Sequence, residues 1–336
     1  MEDTNKVLVI GSNSFTGSHF VNHILENTDA KVIGISRSDE YDPIFLPYAY
    51  KKLKTDRFTF HKLDLNTQIK EITALIDKEK PDVVVNYAAQ GEVRNSWKWP
   101  EQWFKTNCLG IVNLCNMLKD KPFLKKYIAI STPEIYGSTK KGLKETYELN
   151  PSTPYAASKA AGDLFLMAIH KKYNFPVIFI RSTNVYGIHQ QLFRIIPKTI
   201  ISIKKGETLT LHGRGKSVRT YLHVRDAADA TLKAIQNGKP GEIYHIAPKE
   251  EGISVADLVK TLCKFMGKKF EDVAIPVEEN FGQDAMYSLD ATKAKKELGW
   301  SSKIEFENGL KEVITWINDN WEKIKSLPSE YLHKDS

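Results

Sequence analysis

Cysteine is scarce in this chain: Cys108, Cys115 and Cys263 are the only three among 336 residues. They share no C-x-x-C or other ligand-like spacing, which excludes a disulfide-stapled scaffold and argues against a zinc centre or any other metal site. The three read as buried thiols of a cytoplasmic protein. Apolar runs of membrane-spanning length are absent, so no membrane partner is expected. The opening Met1-Glu2-Asp3-Thr4-Asn5-Lys6 carries no signal-peptide pattern and leads straight into a strand. No repeat, low-complexity tract or flexible linker interrupts the chain. The formal charge is +7, yet no basic–aromatic stripe accompanies it, so nucleic acid is not the expected partner. Local cations for an anionic small molecule, such as a nucleotide diphosphate, are the better reading.

What is present is an alternation of apolar, β-branched runs with helical stretches. Val7–Ile10, Lys31–Ser36, Phe58–Leu65, Asp82–Tyr87, Tyr127–Ser131 and Pro176–Arg181 read as strands. Most are apolar throughout, as expected when helices cover both faces of a parallel sheet. The implied fold is α/β: a Rossmann-type doubly wound parallel sheet with a smaller, chain-interleaved lobe at its carboxyl edge. The division expected is 1–187 with 220–248 for the dinucleotide-binding part, and 188–219 with 249–330 for the lobe. Ile243–Ile246 is expected to rejoin the main sheet. In the lobe, Ile196–Lys205, Val255–Met266, Thr292–Leu298 and a long Phe306–Lys325 are expected helices, and Asp226–Gly238 is another in the main part.

Gly11-Ser12-Asn13-Ser14-Phe15-Thr16-Gly17 joins the first strand to the first helix. Gly11 suits a tight turn, Gly17 suits close helix–sheet packing, and the amides at the helix start suit a pyrophosphate. Ser14 stands where a middle glycine is usual. The second strand ends Ser36-Arg37-Ser38 without the acid that normally binds a ribose 2′-hydroxyl. Arg37 there leans the reading toward NADP over NAD. Asp64, Leu65, Ala88, Ala89 and Gln90 follow the third and fourth strands, where adenine and nicotinamide contacts would fall.

Tyr155 and Lys159 stand four residues apart, one helical turn. An ammonium beside a phenol favours the phenolate, so Tyr155 is expected to act as a base on an alcohol. Upstream, Thr132 and Glu134 in Ser131-Thr132-Pro133-Glu134-Ile135-Tyr136-Gly137 add a hydroxyl donor and a second base.

Together these motifs resemble the extended short-chain dehydrogenase/reductase family, in its nucleotide-sugar branch. Further marks are Asn86–Ala89, Asn107, Arg181–Gly187, His212–Gly215 through Arg219, and Leu298-Gly299-Trp300. Thr132-x-Glu134 and Met286–Asp290 are most similar to the 4,6-dehydratases of dTDP-glucose and GDP-mannose. The resemblance implies a tightly bound, recycled NADP or NAD, held in part by Tyr155 and Lys159. It also implies a nucleotide-diphosphate sugar as substrate and a homodimer or dimer of dimers. The implied product is a 4-keto-6-deoxy sugar. Ser131, Asn184, Arg194, Arg214 and Arg219 are the expected substrate contacts. Pro133 departs from the dTDP-glucose enzymes, which carry Asp there, and inclines the reading toward a GDP-sugar. Met286 stands where relatives often carry Arg. A 4-epimerase, a 4-dehydrogenase or ketoreductase, and a decarboxylase share this frame; a non-catalytic nucleotide sensor is the alternative outside enzymes.

Overall fold

The computed structural model describes residues 5–53, 56–139, 142–278 and 286–333; the start of the N-terminal segment, residues 1–4, lies outside them. Seven strands form one sheet: β1 Lys6–Ile10, β2 Lys31–Ser36, β3 Phe58–Lys62, β4 Val83–Asn86, β5 Lys126–Ser131, β6 Val177–Ser182 and β7 Ile243–Ile246. Every pairing is parallel and the order is β3-β2-β1-β4-β5-β6-β7. The longer helices are α1 Phe15–Asn27, α2 Ile69–Glu79, α3 Gly110–Leu118, α4 Pro154–Tyr173, α5 Ile195–Lys205, α6 Val224–Asn237, α7 Val255–Phe265 and α8 Phe306–Asp319.

Strand periodicity divides the core. Val7, Val9, Val83, Val85, Ile178 and Ile180 point to the face that also buries Phe20 of α1 and Ala230, Ala234 and Ile235 of α6. Leu8, Ile10, Val84, Val177 and Phe179 point to the other face, with Ile72 and Ile76 of α2 and Leu114 and Leu118 of α3. Two covered faces explain why these strands are apolar at nearly every position. The strand order reverses between β1 and β4, and a ligand crevice opens outside the carboxyl ends at such a point.

After β6 the chain builds a separate apolar cluster, in which Ile196 and Ile200 of α5, Leu258 and Leu262 of α7, and Leu310, Val313 and Ile317 of α8 pack together. It returns to the sheet for β7. Asp226 at the start of α6 ties the following segment down, accepting from Lys303 N and Ile304 N, both at 3.0 Å, while its carbonyl accepts from Trp300 Nε1.

Two boundaries differ from the sequence reading. The third strand stops at Lys62 rather than Leu65, because Asp64 forms its own turn: Asp64 Oδ1 accepts from Asn66 N at 2.8 Å. The expected helix Phe306–Lys325 breaks at Asn320, whose side-chain amide donates to Trp316 O at 2.8 Å and ends α8.

One close approach fixes α4. A π-helical turn at Lys105–Leu109 precedes α3 and lies against α4 at Gly162, where an added Cβ would sit 2.4 Å from Asn107 O. The Asn107 side chain accepts from Gln90 N at 2.9 Å and donates to Gln90 O at 3.0 Å and Ser158 Oγ at 2.9 Å. This one buried amide joins the end of β4 to the helix that carries Tyr155. Gly162→Ala is therefore expected to lower stability by about 1–3 kcal/mol, the usual cost of overpacking; an unshifted midpoint in urea denaturation would contradict the close packing.

Candidate active site

The turn after β1 builds the first half of the site. Gly11 has φ +84°, and a Cβ there would lie 2.7 Å from Ala88 N. A Cβ on Gly17 would lie 2.2 Å from Gly11 O. Only glycine fits either place without shifting backbone. Ser14 caps α1, its Oγ accepting from Gly17 N at 3.1 Å, which gives a hydroxyl something to do where a glycine is usual. A cavity of about 160 Å³ opens beside this turn. Of the residues expected to hold a dinucleotide, Gly11, Asn13, Ser14, Arg37, Asp64, Leu65, Ala88, Ala89 and Gln90 line it. Phe15, Thr16 and Gly17 form the first turn of α1, and Tyr155 and Lys159 lie on α4, all outside the lining.

Asn13 Oδ1 is a buried acceptor with no hydrogen-bond partner, as is Ser12 Oγ. An orphan acceptor on a cavity wall calls for a donor from a ligand, as a ribose hydroxyl would supply, while the amides at the adjacent helix N-terminus suit a phosphate. The Ser36 hydroxyl accepts from Asn13 N at 3.0 Å, and the Asn13 amide donates to Ser38 O at 3.0 Å and Asp39 O at 2.8 Å. The Asp39 carboxylate pairs with Lys62 at 2.7 Å on the surface. Tyr41, Asn66 and Thr106 also line the cavity. Sequence reasoning missed them because Tyr41 lies in irregular chain and the Asn66 Nδ2 to Thr106 Oγ1 bond, 2.9 Å, joins residues far apart in sequence.

The second half begins where β5 ends. Thr132 caps a 3₁₀ turn, Pro133–Tyr136, and its Oγ1 accepts from Glu134 N at 3.3 Å. Pro133 occupies the first position of that turn, where its missing N–H costs nothing. The Thr132 side chain also acts on Tyr155, opposing the rise of its phenol. Thr153 caps α4, accepting from Ala156 N at 3.1 Å, and so sets Tyr155 in the first turn. Burial pushes the Tyr155 phenol up, and the Glu134 carboxylate adds to that shift; Thr132 and Arg194 oppose it. The two expected bases thus share one electrostatic environment.

Lys159 is buried, and its amine donates to Ile130 O at 2.8 Å. Burial holds its pKa below the usual lysine value, with Asp163 opposing. Here the structure departs from the sequence reading: Lys159 was expected to depress the Tyr155 pKa, yet that phenol is raised, first by its burial and then by the Glu134 carboxylate, while the Lys159 ammonium is tethered to the β5 backbone.

Beneath the Thr132–Glu134 turn lies a polar network with no water access. Arg181 on β6 is wholly buried and its Nη2 pairs with Asp163 Oδ2 of α4 at 3.0 Å. Ser131 Oγ donates to the same carboxylate oxygen at 2.8 Å. Ser131 is therefore turned into this network instead of serving as the expected substrate contact. Arg181 Nη1 donates to the Tyr136 hydroxyl and, at 2.9 Å, to Thr146 O. Tyr136 and His245 Nε2 are 2.8 Å apart, and His245 Nδ1 is 3.1 Å from Leu143 O. Burial, with Arg181 nearby, pushes His245 down to about 3, so a neutral imidazole completes the chain. His245 is the satisfied core residue its apolar strand suggests.

The remaining predicted contacts divide. Tyr287, buried and part of the Met286–Asp290 motif, donates to Asn184 Oδ1 at 3.0 Å, and the Arg219 guanidinium lies 4.8 Å from its ring centroid. Burial raises the Tyr287 phenol, with Glu134 and Tyr155 adding to the shift and Arg219 opposing it. Asn184 and Arg219 thus belong to the Glu134–Tyr155 neighbourhood through a tyrosine that was not assigned a role in advance. Arg194 joins it from the surface. Arg214 pairs with Glu278 at 2.7 Å, both exposed, on a turn of the lobe. Among the described residues no His, Cys, Asp and Glu cluster could hold a metal ion, and no helix is long and apolar enough to cross a membrane.

The family profile for GDP-mannose 4,6 dehydratase matches residues 8–313. The dTDP-glucose 4,6-dehydratase of Haemophilus influenzae is 30% identical over 332 residues, which cover 92% of this chain and 97% of that protein. A trifunctional UDP-glucose 4,6-dehydratase, 3,5-epimerase and reductase of Arabidopsis thaliana is 32% identical over 95% of this chain, which spans 49% of the plant protein. The crystal structure of dTDP-glucose 4,6-dehydratase from Bacillus anthracis in complex with NAD superposes with a TM-score of 0.84, at 30% identity, covering 95% of this chain and 98% of that one.

The Asp163–Arg181 pair supplies a test of the buried network. Arg181→Met leaves an uncompensated carboxylate inside the protein and is expected to cost about 3–5 kcal/mol. Adding Asp163→Leu should recover more than half of the loss in urea denaturation. If the double variant were no more stable than the single one, the pair would not be the ionic core described.

Proposed function

The chain belongs to the nucleotide-sugar 4,6-dehydratases, hydro-lyases of the extended short-chain dehydrogenase/reductase family, and on that premise we propose how its residues divide the reaction. The observation that carries the proposal is the shared environment of Tyr155 and Glu134, with Thr132 acting on the phenol and capping the turn that bears the carboxylate. A bound nicotinamide would supply the acceptor for hydride from C4 of the sugar and the donor that returns it to C6. Tyr155 takes the proton of the 4-hydroxyl, and Thr132 orients that oxygen. In the unliganded protein the phenol is held protonated, so this step depends on positive charge near it, to which Arg194 contributes. The ketone at C4 acidifies the hydrogen at C5, and Glu134 removes it as a proton. The C6–O bond then breaks. Pro133 has no proton to give, so Glu134 passes its own to the departing hydroxyl, which leaves as water. Reprotonation of C5 draws on solvent through the same carboxylate.

We assign the dinucleotide to the cavity at Gly11, Asn13 and Ser14, with Arg37, Asp64 and Ala88–Gln90 around the adenosine and nicotinamide ends. The earlier lean toward NADP gains no support, since the Bacillus anthracis relative was solved with NAD and the Ser36 hydroxyl is already engaged with Asn13; the reading here is NAD, bound and recycled. Asn184 and Arg219, with Tyr287 between them, are proposed to meet a GDP- or dTDP-hexose or heptose. The half-buried and buried thiols suit the reducing cytoplasm, where such a sugar nucleotide would be met.

A homodimer is part of the proposal. Phe104 and Leu109 near the π-helical turn, and Leu164 on α4, are 40%, 53% and 53% exposed on segments that pack side by side. Leu109→Asp with Leu164→Asp is expected to sediment as a monomer; an unchanged species would remove this surface from consideration. For the chemistry, Glu134→Gln is expected to slow water loss about a hundred- to ten-thousand-fold while hydride removal at C4 persists. The wild-type reaction in deuterated water should place one deuterium at C5, read by mass spectrometry on dTDP-glucose and GDP-mannose. Normal dehydration by the Gln variant would transfer the role of second base elsewhere.

A further inference from the structure

The stretch from Gln90 to Thr106 leaves and re-enters the rim of the dinucleotide cavity, since both end residues line it. Between them it carries Trp97, Trp99 and Trp103. Trp103 is fully buried. What meets Trp99 and Trp103 is a segment near residue 333. The His333 imidazole stacks on Trp99 with centroids 4.4 Å apart and an interplanar angle of 16°, and lies parallel to Trp103 at 5.7 Å. Its Nε2 is 2.8 Å from Gln102 Oε1. Two residues earlier, Tyr331 packs edge-on against Phe193 at 5.1 Å, next to Arg194. Glu330 pairs with Lys198 of α5 at 2.7 Å.

Residues 330–333 therefore run from the lobe, at α5, to the 90–106 stretch whose two ends line the dinucleotide cavity. The crossing passes beside the site: Tyr331 lies within the electrostatic reach of Arg37 and Tyr41, which line the cavity, and of Arg194, which acts on Tyr155. Its backbone is irregular, so its position rests on side chains that stack and pair, the kind of attachment that opens locally while the core stays folded.

We propose that Glu330–His333 is a binding element for the dinucleotide, a strap that closes over the cleft and holds the cofactor in place between the two hydride transfers. A hydro-lyase that returns the hydride it takes has no use for cofactor exchange, and loss of the reduced form in mid-reaction would strand a ketone. The strap joins the two parts that must stay together during that interval. The inference rests on the dinucleotide-binding reading of the cavity and is independent of which sugar is used.

The test uses the full-length protein, a variant truncated after Pro328, and the point variant Tyr331→Ala/His333→Ala. Each is loaded with NAD or with NADH, and release is followed after rapid dilution by nucleotide fluorescence and by the fraction of dinucleotide surviving gel filtration, with no sugar present. Both variants are expected to release the dinucleotide about tenfold faster, the scale set by losing two stacked aromatic contacts. Amide exchange in residues 91–105 should rise in the same variants while that of β1 and β4 is unchanged. Release and exchange equal to the parent protein in the point variant would overturn the strap. Failure of the parent itself to bind either dinucleotide would instead overturn the underlying reading of the cavity.

Discussion

A buried guanidinium bonded to a buried carboxylate is the constraint on which the site depends. Arg181 comes from β6, Asp163 from α4, Ser131 from the end of β5 and His245 from β7. The pair sits where these four elements meet, directly below the turn that carries Thr132 and Glu134. Each partner satisfies several groups at once: Asp163 accepts from Arg181 and Ser131, and Arg181 reaches Tyr136 and the Thr146 carbonyl. The Thr132–Glu134 turn is thus pinned at Ser131 before it and at Tyr136 within it. Thr132 and Glu134 lie between those pins, where both act on Tyr155.

Such a pair is a poor source of net stability, because taking both ions out of water offsets much of their attraction. The orphaned Arg181 Nε shows that even this dense network leaves a donor unsatisfied. Its benefit is geometric. One carboxyl-bearing helix and three strands have one arrangement that satisfies the ions, and displacing the helix or β6 leaves a charge bare in the interior. An elimination across C5 and C6 that follows an oxidation at C4 needs that sort of fixity, since two bases must meet neighbouring carbons of one ring without moving.

The sheet was legible in the sequence because parallel strands covered on both faces leave an unbroken apolar record, and Val83-Val84-Val85 needs no context to be read. The turn at Gly11–Gly17 was legible for a related reason: steric limits on glycine are local. Partners set by tertiary contact were not. Ser131 stood next to Thr132 and was taken for a substrate ligand, while its hydroxyl belongs to Asp163. Lys159 was placed beside Tyr155 by helical spacing, which is correct for the backbone, but the long side chain finds the Ile130 carbonyl. Tyr287 was noticed as part of a motif, and only the packing of Arg219 and Asn184 around it brings it to the pocket. The meeting of His333 with Trp99 joins residues far apart in the chain and leaves no periodic trace.

Pro133 ties these threads together. Where the resemblance to dTDP-glucose enzymes leads one to expect an acid, this chain starts a 3₁₀ turn with a buried proline ring and no proton to offer. In the proposed division of the reaction the burden then falls on Glu134, which would take a proton at C5 and give it up at the C6 oxygen. A single carboxylate can serve both transfers if it stays put and remains shielded from bulk water between the two. The pinned turn provides the first condition. The second requires a closed cleft, and a segment that bridges the lobe to the cavity rim can supply closure without occupying the space the sugar needs. Rigid support beneath the turn and a releasable cover above it are complementary consequences of asking one carboxylate to do the work of two.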